Sequence, residues 1–79
     1  MSNIEKLNGI FAEIFNVEAS VLGAEFNNKT VEGWDSVRQL SLTAAIEETF
    51  DLFLDPEDII ACVSYDGVKD VLKKYEIEL

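Results

Sequence analysis

DSVRQLSLTAAIEETFDLFLDPEDI, residues 35–59, gives the clearest indication of the fold, because it joins a long helical pattern to a second helix start. At about 100° per residue, Leu42, Ile46 and Phe50 share one helix face. This spacing predicts a helix from about residue 36 to residue 50, with these three side chains in the core.

A second set of apolar residues falls on nearly the opposite face of the same helix: Val37, Leu40 and Ala44. One helix of a small domain rarely buries two opposed faces. We therefore expect Val37 and Ala44 to form an exposed apolar contact beside Glu47 and Glu48. The alternative is a central helix with both faces covered.

Two further helices follow the helix over 36–50. Pro56 after Asp55 suits the first position of a helix, and the acids at 57 and 58 complement its positive end, which predicts a short helix over about 56–61. A fourth helix is predicted to begin after Ser64. Its apolar face contains Tyr65, Val68, Leu72 and Tyr75, and its last turn contains Lys73 and Lys74.

The first helix is predicted to begin near Ser2, because Ser2 and Glu5 match a capping box. Its apolar stripe consists of Ile4, Leu7, Ile10, Phe11, Ile14 and Phe15, and the pattern fades around residues 16–18. The connection over about 18–35 mixes glycine and asparagine with apolar residues, which suits an ordered loop attached to the core. The prediction is one all-α domain over 1–79, a four-helix bundle with a long first connection and a short third helix.

Composition limits the function. The 79 residues carry a formal net charge of -10, which disfavours nucleic acid and anionic lipid and favours basic protein surfaces, although acidity can also serve solubility alone. The chain has no histidine and one cysteine, which excludes an internal disulfide, the usual zinc sites and a Ser-His nucleophile pair within one subunit. The acids at 51, 55, 57 and 58 lack the spacing of a calcium loop, so we expect no metal.

The location can also be predicted. No apolar run approaches the length of a membrane span, and the first residues show no secretory signal. We expect a cytoplasmic monomer that has no catalytic activity of its own.

Ser36 has two interpretations. In the first it is the N-cap of the second helix, because residues 36–39 match the S-x-x-Q capping box. In the second Asp35 is the cap, and the Ser36 hydroxyl lies in solvent at the positive end of the helix, where an attached phosphate would be stabilised. No histidine is present to activate this serine, so another enzyme would have to modify it.

Asp35-Ser36-Val37 resembles the D-S-L signature of acyl carrier proteins, and AAIEETFD, residues 44–51, is similar to the A-L-E-E-x-F pattern of that family's second helix. The likeness extends over essentially the whole chain. It implies that Ser36 receives 4'-phosphopantetheine from coenzyme A through a phosphopantetheinyl transferase, with Asp35 as the motif aspartate. The thiol of this group would hold acyl intermediates as thioesters for acyl-loading and acyl-processing enzymes with basic docking patches.

The chain also departs from the family pattern. Arg38 and Ser41 stand where carriers of fatty-acid synthesis often have acids, and Trp34 replaces a small residue. These departures favour a specialised fatty-acid, polyketide or related pathway. The expected partner contacts are Trp34, Val37, Arg38, Ala44, Glu47 and Glu48.

Other readings remain open. An aminoacyl, peptidyl or D-alanyl carrier would use the same serine, whereas a helical interaction module would use Ser36 only as a cap. Ser20, Ser41 and Ser64 lack the Asp-Ser-apolar context and are assigned no site. Cys62, between Ala61 and Val63, is predicted to be a small buried residue.

Overall fold

The computed structural model describes residues 2–79, which contain four α-helices. They are α1 (Asn3–Phe15), α2 (Ser36–Phe50), α3 (Pro56–Ala61) and α4 (Tyr65–Lys74), and a 3-10 helix, Ala19–Val21, lies between α1 and α2. Within residues 2–79 the only β-type pairing is one isolated antiparallel bridge, between Asn27 and Ser64. The predicted all-α class, the four helices and the short α3 are confirmed.

The helix ends follow from local chemistry. Ser2 and Glu5 form the predicted capping box, in which the Glu5 amide donates to the Ser2 hydroxyl at 3.3 Å. Asn16 and Asp51, which follow α1 and α2, adopt left-handed backbone angles with φ of 54° and 53°. Asparagine and aspartate enter this region more readily than most residues. Each of the two helices therefore ends at a residue that tolerates the left-handed conformation.

The turn between α3 and α4 depends on one glycine. The Gly67 amide donates to the hydroxyl of Ser64, the N-cap of α4, at 2.8 Å. A Cβ atom at position 67 would lie 2.5 Å from the Ala61 carbonyl oxygen. Only glycine lets the first turn of α4 approach the end of α3 this closely.

One face of α2 lies in the core. Leu42 and Ile46 are fully buried, and Phe50 is partly buried against the core. On the other face, Val37 is 71% exposed and Leu40 is 65% exposed. The expectation of an exposed apolar face on α2 is confirmed, and the alternative of a central, fully covered helix is wrong.

Aromatic side chains attach the long first connection to α1. Phe26 and Trp34 of the connection pack on Phe11 and Phe15 of α1, with ring centroids 5.7 Å apart for Phe11–Phe26 and 4.6 Å for Phe15–Trp34. The Tyr65 amide also donates to the Phe26 carbonyl at 2.8 Å. The connection is therefore an ordered part of the fold, as the sequence predicted.

Asp58 is a charged side chain inside this structure. It is buried, and it accepts hydrogen bonds from the Lys74 ammonium, at 2.9 Å, and from the Tyr75 hydroxyl. These contacts connect the first turn of α3 to the end of α4. The Tyr75 hydroxyl and the Lys74 ammonium lower the pKa of Asp58 below its ordinary value of 3.8, although burial opposes them.

No helix among residues 2–79 combines the length and the apolar character that crossing a membrane requires.

We predict that Asp58→Asn lowers the free energy of unfolding at neutral pH, because the neutral amide cannot replace the charged acceptor of Lys74 and Tyr75. A lowered native pKa stabilises the fold above the ordinary value of 3.8. The difference from wild type should therefore shrink as the pH falls through the native pKa of Asp58. Urea unfolding followed by circular dichroism on both sides of pH 3.8 measures this.

The matched control is Asp66→Asn, which removes the carboxylate of an exposed pair with Lys69, 3.3 Å apart. We expect this change to alter stability by less than about 0.5 kcal/mol. Equal effects of the two substitutions, or a difference for Asp58→Asn that does not depend on pH, would contradict the assigned role of Asp58.

Candidate functional site

Asp35 is the N-cap of α2. Its backbone is extended, and its Oδ1 atom accepts a hydrogen bond from the Arg38 amide at 2.8 Å. Ser36 is then the first residue of the helix. Of the two interpretations of Ser36, the structure agrees with the one in which Asp35 caps the helix.

Ser36 is exposed at this helix start. The first backbone amides of an α-helix have no partner within the helix, and together with the helix dipole they make its start favourable for an anion. The Asp35 carboxylate accepts a hydrogen bond from the Arg38 amide, and the Gln39 amide donates to the Asp35 carbonyl at 2.9 Å. The amides of Ser36 and Val37 precede these two donors at the start of the helix, next to the Ser36 hydroxyl.

Arg38 lies in the same turn and holds the connection against α1. Its guanidinium donates to the Gly33 carbonyl at 2.7 Å and to the Ile14 carbonyl at 3.4 Å, and it lies 4.0 Å from the Asp35 carboxylate. The cation partly offsets the charge of Asp35 next to Ser36. Arg38, an expected partner contact, is thus engaged inside the protein as well.

A groove of about 530 Å³ opens beside Ser36, between the start of α2 and α3. This volume lies in the range of small-molecule sites. Three aliphatic residues from α3 and the turn after it form much of its wall. The lining residues are Asn28, Trp34, Asp35, Ser36, Gln39, Ile59, Ile60 and Val63.

Gln39 forms the polar part of the groove. Its Nε2 atom donates to the Ile59 carbonyl at 3.0 Å and to the Cys62 carbonyl at 2.6 Å. Its Oε1 atom accepts from the Trp34 indole nitrogen at 2.7 Å. The sequence pattern predicts Gln39 only as half of a capping box with Ser36. A signal was present, because Gln39 precedes Leu42 by three residues and therefore falls on the core face of α2.

Trp34 has two roles. Its ring packs on the aromatic side chains of α1 and its edge lines the groove. Trp34, Asp35 and Ser36, which are consecutive in the chain, all line the groove. The fold adds Gln39 to this site.

The remaining expected partner contacts lie further along α2. Val37, Ala44 and Glu48 are exposed. Glu47 is half-buried, and its Oε2 atom accepts from the Leu54 amide at 3.0 Å. Glu47 therefore stabilises the connection to α3, a role that the sequence did not predict.

Cys62 follows α3, and its side chain is fully buried. Burial, aided by the nearby Asp58 charge, raises the pKa of its thiol to about 11. A thiol with this pKa is a poor nucleophile at neutral pH. The prediction that Cys62 is a buried residue is confirmed.

Comparison of the whole chain with protein-family models and with curated proteins finds no match in either case.

We predict that Asp35→Ala lowers the free energy of unfolding by about 1 kcal/mol, because it removes the cap of α2. Ser36→Ala should change it by less than about 0.5 kcal/mol, because Asp35 already provides the capping acceptor. Urea unfolding of the two variants measures both effects. A loss at Ser36→Ala that equals the loss at Asp35→Ala would mean that the serine is the cap.

Proposed function

We propose that this protein is an acyl carrier protein in which Ser36 carries 4'-phosphopantetheine. The observation that supports this best is an exposed hydroxyl at the start of a 15-residue helix, next to an apolar groove. The helix start favours the phosphate, and the groove suits a flexible organic chain. The helix order, with a long first connection and a short α3, agrees with the acyl-carrier bundle that the sequence resembles.

The residues around Ser36 fit the phosphopantetheine group. The unpaired amides at the start of α2 can donate to phosphate oxygens, and Arg38 offsets the charge of Asp35. The Trp34 side chain, which lines the groove next to Ser36, can contact the apolar part of the group. When bound, its terminal thiol supplies the thioester on which acyl groups are carried.

The attachment requires a second protein. The Ser36 oxygen forms a bond to the phosphorus of the pantetheine phosphate as the pyrophosphate bond of coenzyme A breaks, and adenosine bisphosphate leaves. The hydroxyl proton goes to a base of the transferase, because this chain has no histidine. The Asp35 Oδ1 atom accepts from the Arg38 amide and thereby fixes the start of the helix on which Ser36 lies.

The exposed face of α2 is the proposed docking surface, defined by Val37, Leu40, Ala44 and Glu48. It presents apolar side chains next to Ser36 and acidic charge towards the end of the helix. An enzyme with an apolar patch and a basic rim would complement this surface. Such contacts weaken with salt, which suits a carrier that has to dissociate from each partner.

We predict that incubation with coenzyme A and a promiscuous phosphopantetheinyl transferase adds one phosphopantetheine group to the protein. Ser36→Ala should abolish the addition, because it removes the accepting oxygen. Intact-mass spectrometry measures both results.

Ser41→Ala is the matched control, because Ser41 is an exposed serine on the same helix. It should accept the group as wild type does. Lack of the mass gain in wild type would leave the helical interaction module as the remaining function. An equal gain in Ser36→Ala would show that Ser36 is not the attachment site. With modification established, mass spectra after incubation with acyl-loading or amino-acid-loading enzymes would separate the acyl carrier from the aminoacyl, peptidyl and D-alanyl alternatives.

We predict that Val37→Glu lowers kcat/KM of the transferase for this protein about tenfold, because it places a charge in the apolar centre of the docking surface. The helical circular dichroism signal should not change, since Val37 is exposed. Val21→Glu changes an exposed valine on the 3-10 helix and serves as the control. Equal kcat/KM values for the two variants would contradict docking through Val37.

A further inference from the structure

We propose that the Gln39 side chain closes the passage from the groove beside Ser36 into the helical core, and thereby restricts this carrier to short acyl cargo held at the surface. The proposal rests on the carrier function proposed above. It adds a residue that determines specificity and the class of cargo that the site accepts.

Gln39 lies on the core face of α2. Leu42 and Ile46 follow Gln39 by three and seven residues, so all three lie on one helix face. Leu42 and Ile46 are fully buried, whereas Gln39 lines the groove. Gln39 is thus the residue on this face that lies between the exposed start of α2 and the buried Leu42, at the boundary between the groove and the core.

Hydrogen bonds hold the Gln39 side chain in place. Both bonds from Nε2 reach carbonyls of another segment, those of Ile59 and Cys62, and Oε1 accepts from Trp34. The side chain therefore spans the space between α2 and the end of α3. Moving it aside would break three hydrogen bonds and leave polar groups without partners in a partly buried place.

An apolar wall lies on the Ser36 side of Gln39. Ile59, Ile60 and Val63 line the groove on the Ser36 side, and Ile60 is 74% exposed. A short alkyl chain can cover these side chains and is stabilised by removing their surface from water. A longer chain cannot pass Gln39, so its additional methylene groups remain in solvent and add no stability.

The test compares the thermal midpoint of the protein across a series of acyl groups. A promiscuous transferase loads wild-type protein from acetyl-, hexanoyl-, decanoyl- and tetradecanoyl-coenzyme A, and intact mass verifies each product. We expect the midpoint to rise from acetyl to hexanoyl, and then to stay within about 2 °C up to tetradecanoyl. A steady rise through tetradecanoyl would show that long chains enter the core, and would overturn the proposal.

The Gln39→Ala variant tests the residue itself. Removing the side chain opens the passage, so the midpoint should continue to rise, by at least about 8 °C from hexanoyl to tetradecanoyl. Ser41→Ala is the matched control, because it shortens a side chain two residues further along α2, at an exposed position outside the proposed docking surface. Its midpoints should follow the wild-type plateau.

The outcomes separate the two proposals. A purely structural role of Gln39 would lower the midpoint of Gln39→Ala equally for every acyl group, and that result would overturn the closure. If Gln39→Ala does not fold, the wild-type series alone decides between a plateau and a steady rise. Lack of any mass gain in wild type would instead overturn the carrier function.

Discussion

The contact on which this fold depends is the packing of Phe26 and Trp34 against Phe11 and Phe15. A domain of this size has a thin core, and a long connection without an α-helix adds chain entropy that must be offset. The aromatic rings offset it by burying large apolar surfaces at the middle and at the end of the connection. The second of these attachment points directly precedes Asp35. The start of α2 is therefore held in place by the same packing that orders the connection.

The positions of the side chains around Ser36 depend on this attachment through a series of contacts. Trp34 is held by α1 and donates to Gln39, and Gln39 in turn binds the carbonyls at the end of α3. Arg38 connects the same turn of α2 to the end of α1. Three helices thus meet around a hydroxyl that remains exposed. This arrangement is consistent with the proposed modification of Ser36 by another enzyme.

The sequence predicted the helices well because their signals are local. Capping residues such as Ser2 and Asp35 and the apolar spacing of Leu42 and Ile46 depend on neighbours within a few positions. It predicted less about polar residues whose partners are distant in the chain. The sequence predicts Asp58 only as a favourable acid at a helix start, whereas in the structure it accepts hydrogen bonds from Lys74 and Tyr75. Its buried position results from the packing of α4 on α3, which no short window of sequence contains.

Local sequence signals and composition are sufficient to predict the four helices, the acidic surface, the lack of histidine and the D-S-V motif with Ser36 at the start of α2. Periodicity and capping are properties of nearby residues, and charge is a sum over the chain. The folded protein was needed to show that α2 leaves one apolar face uncovered, that a groove opens beside Ser36 and that Gln39 spans it. These features depend on how far apart α2 and α3 lie, and that distance is set by the packing of the whole core.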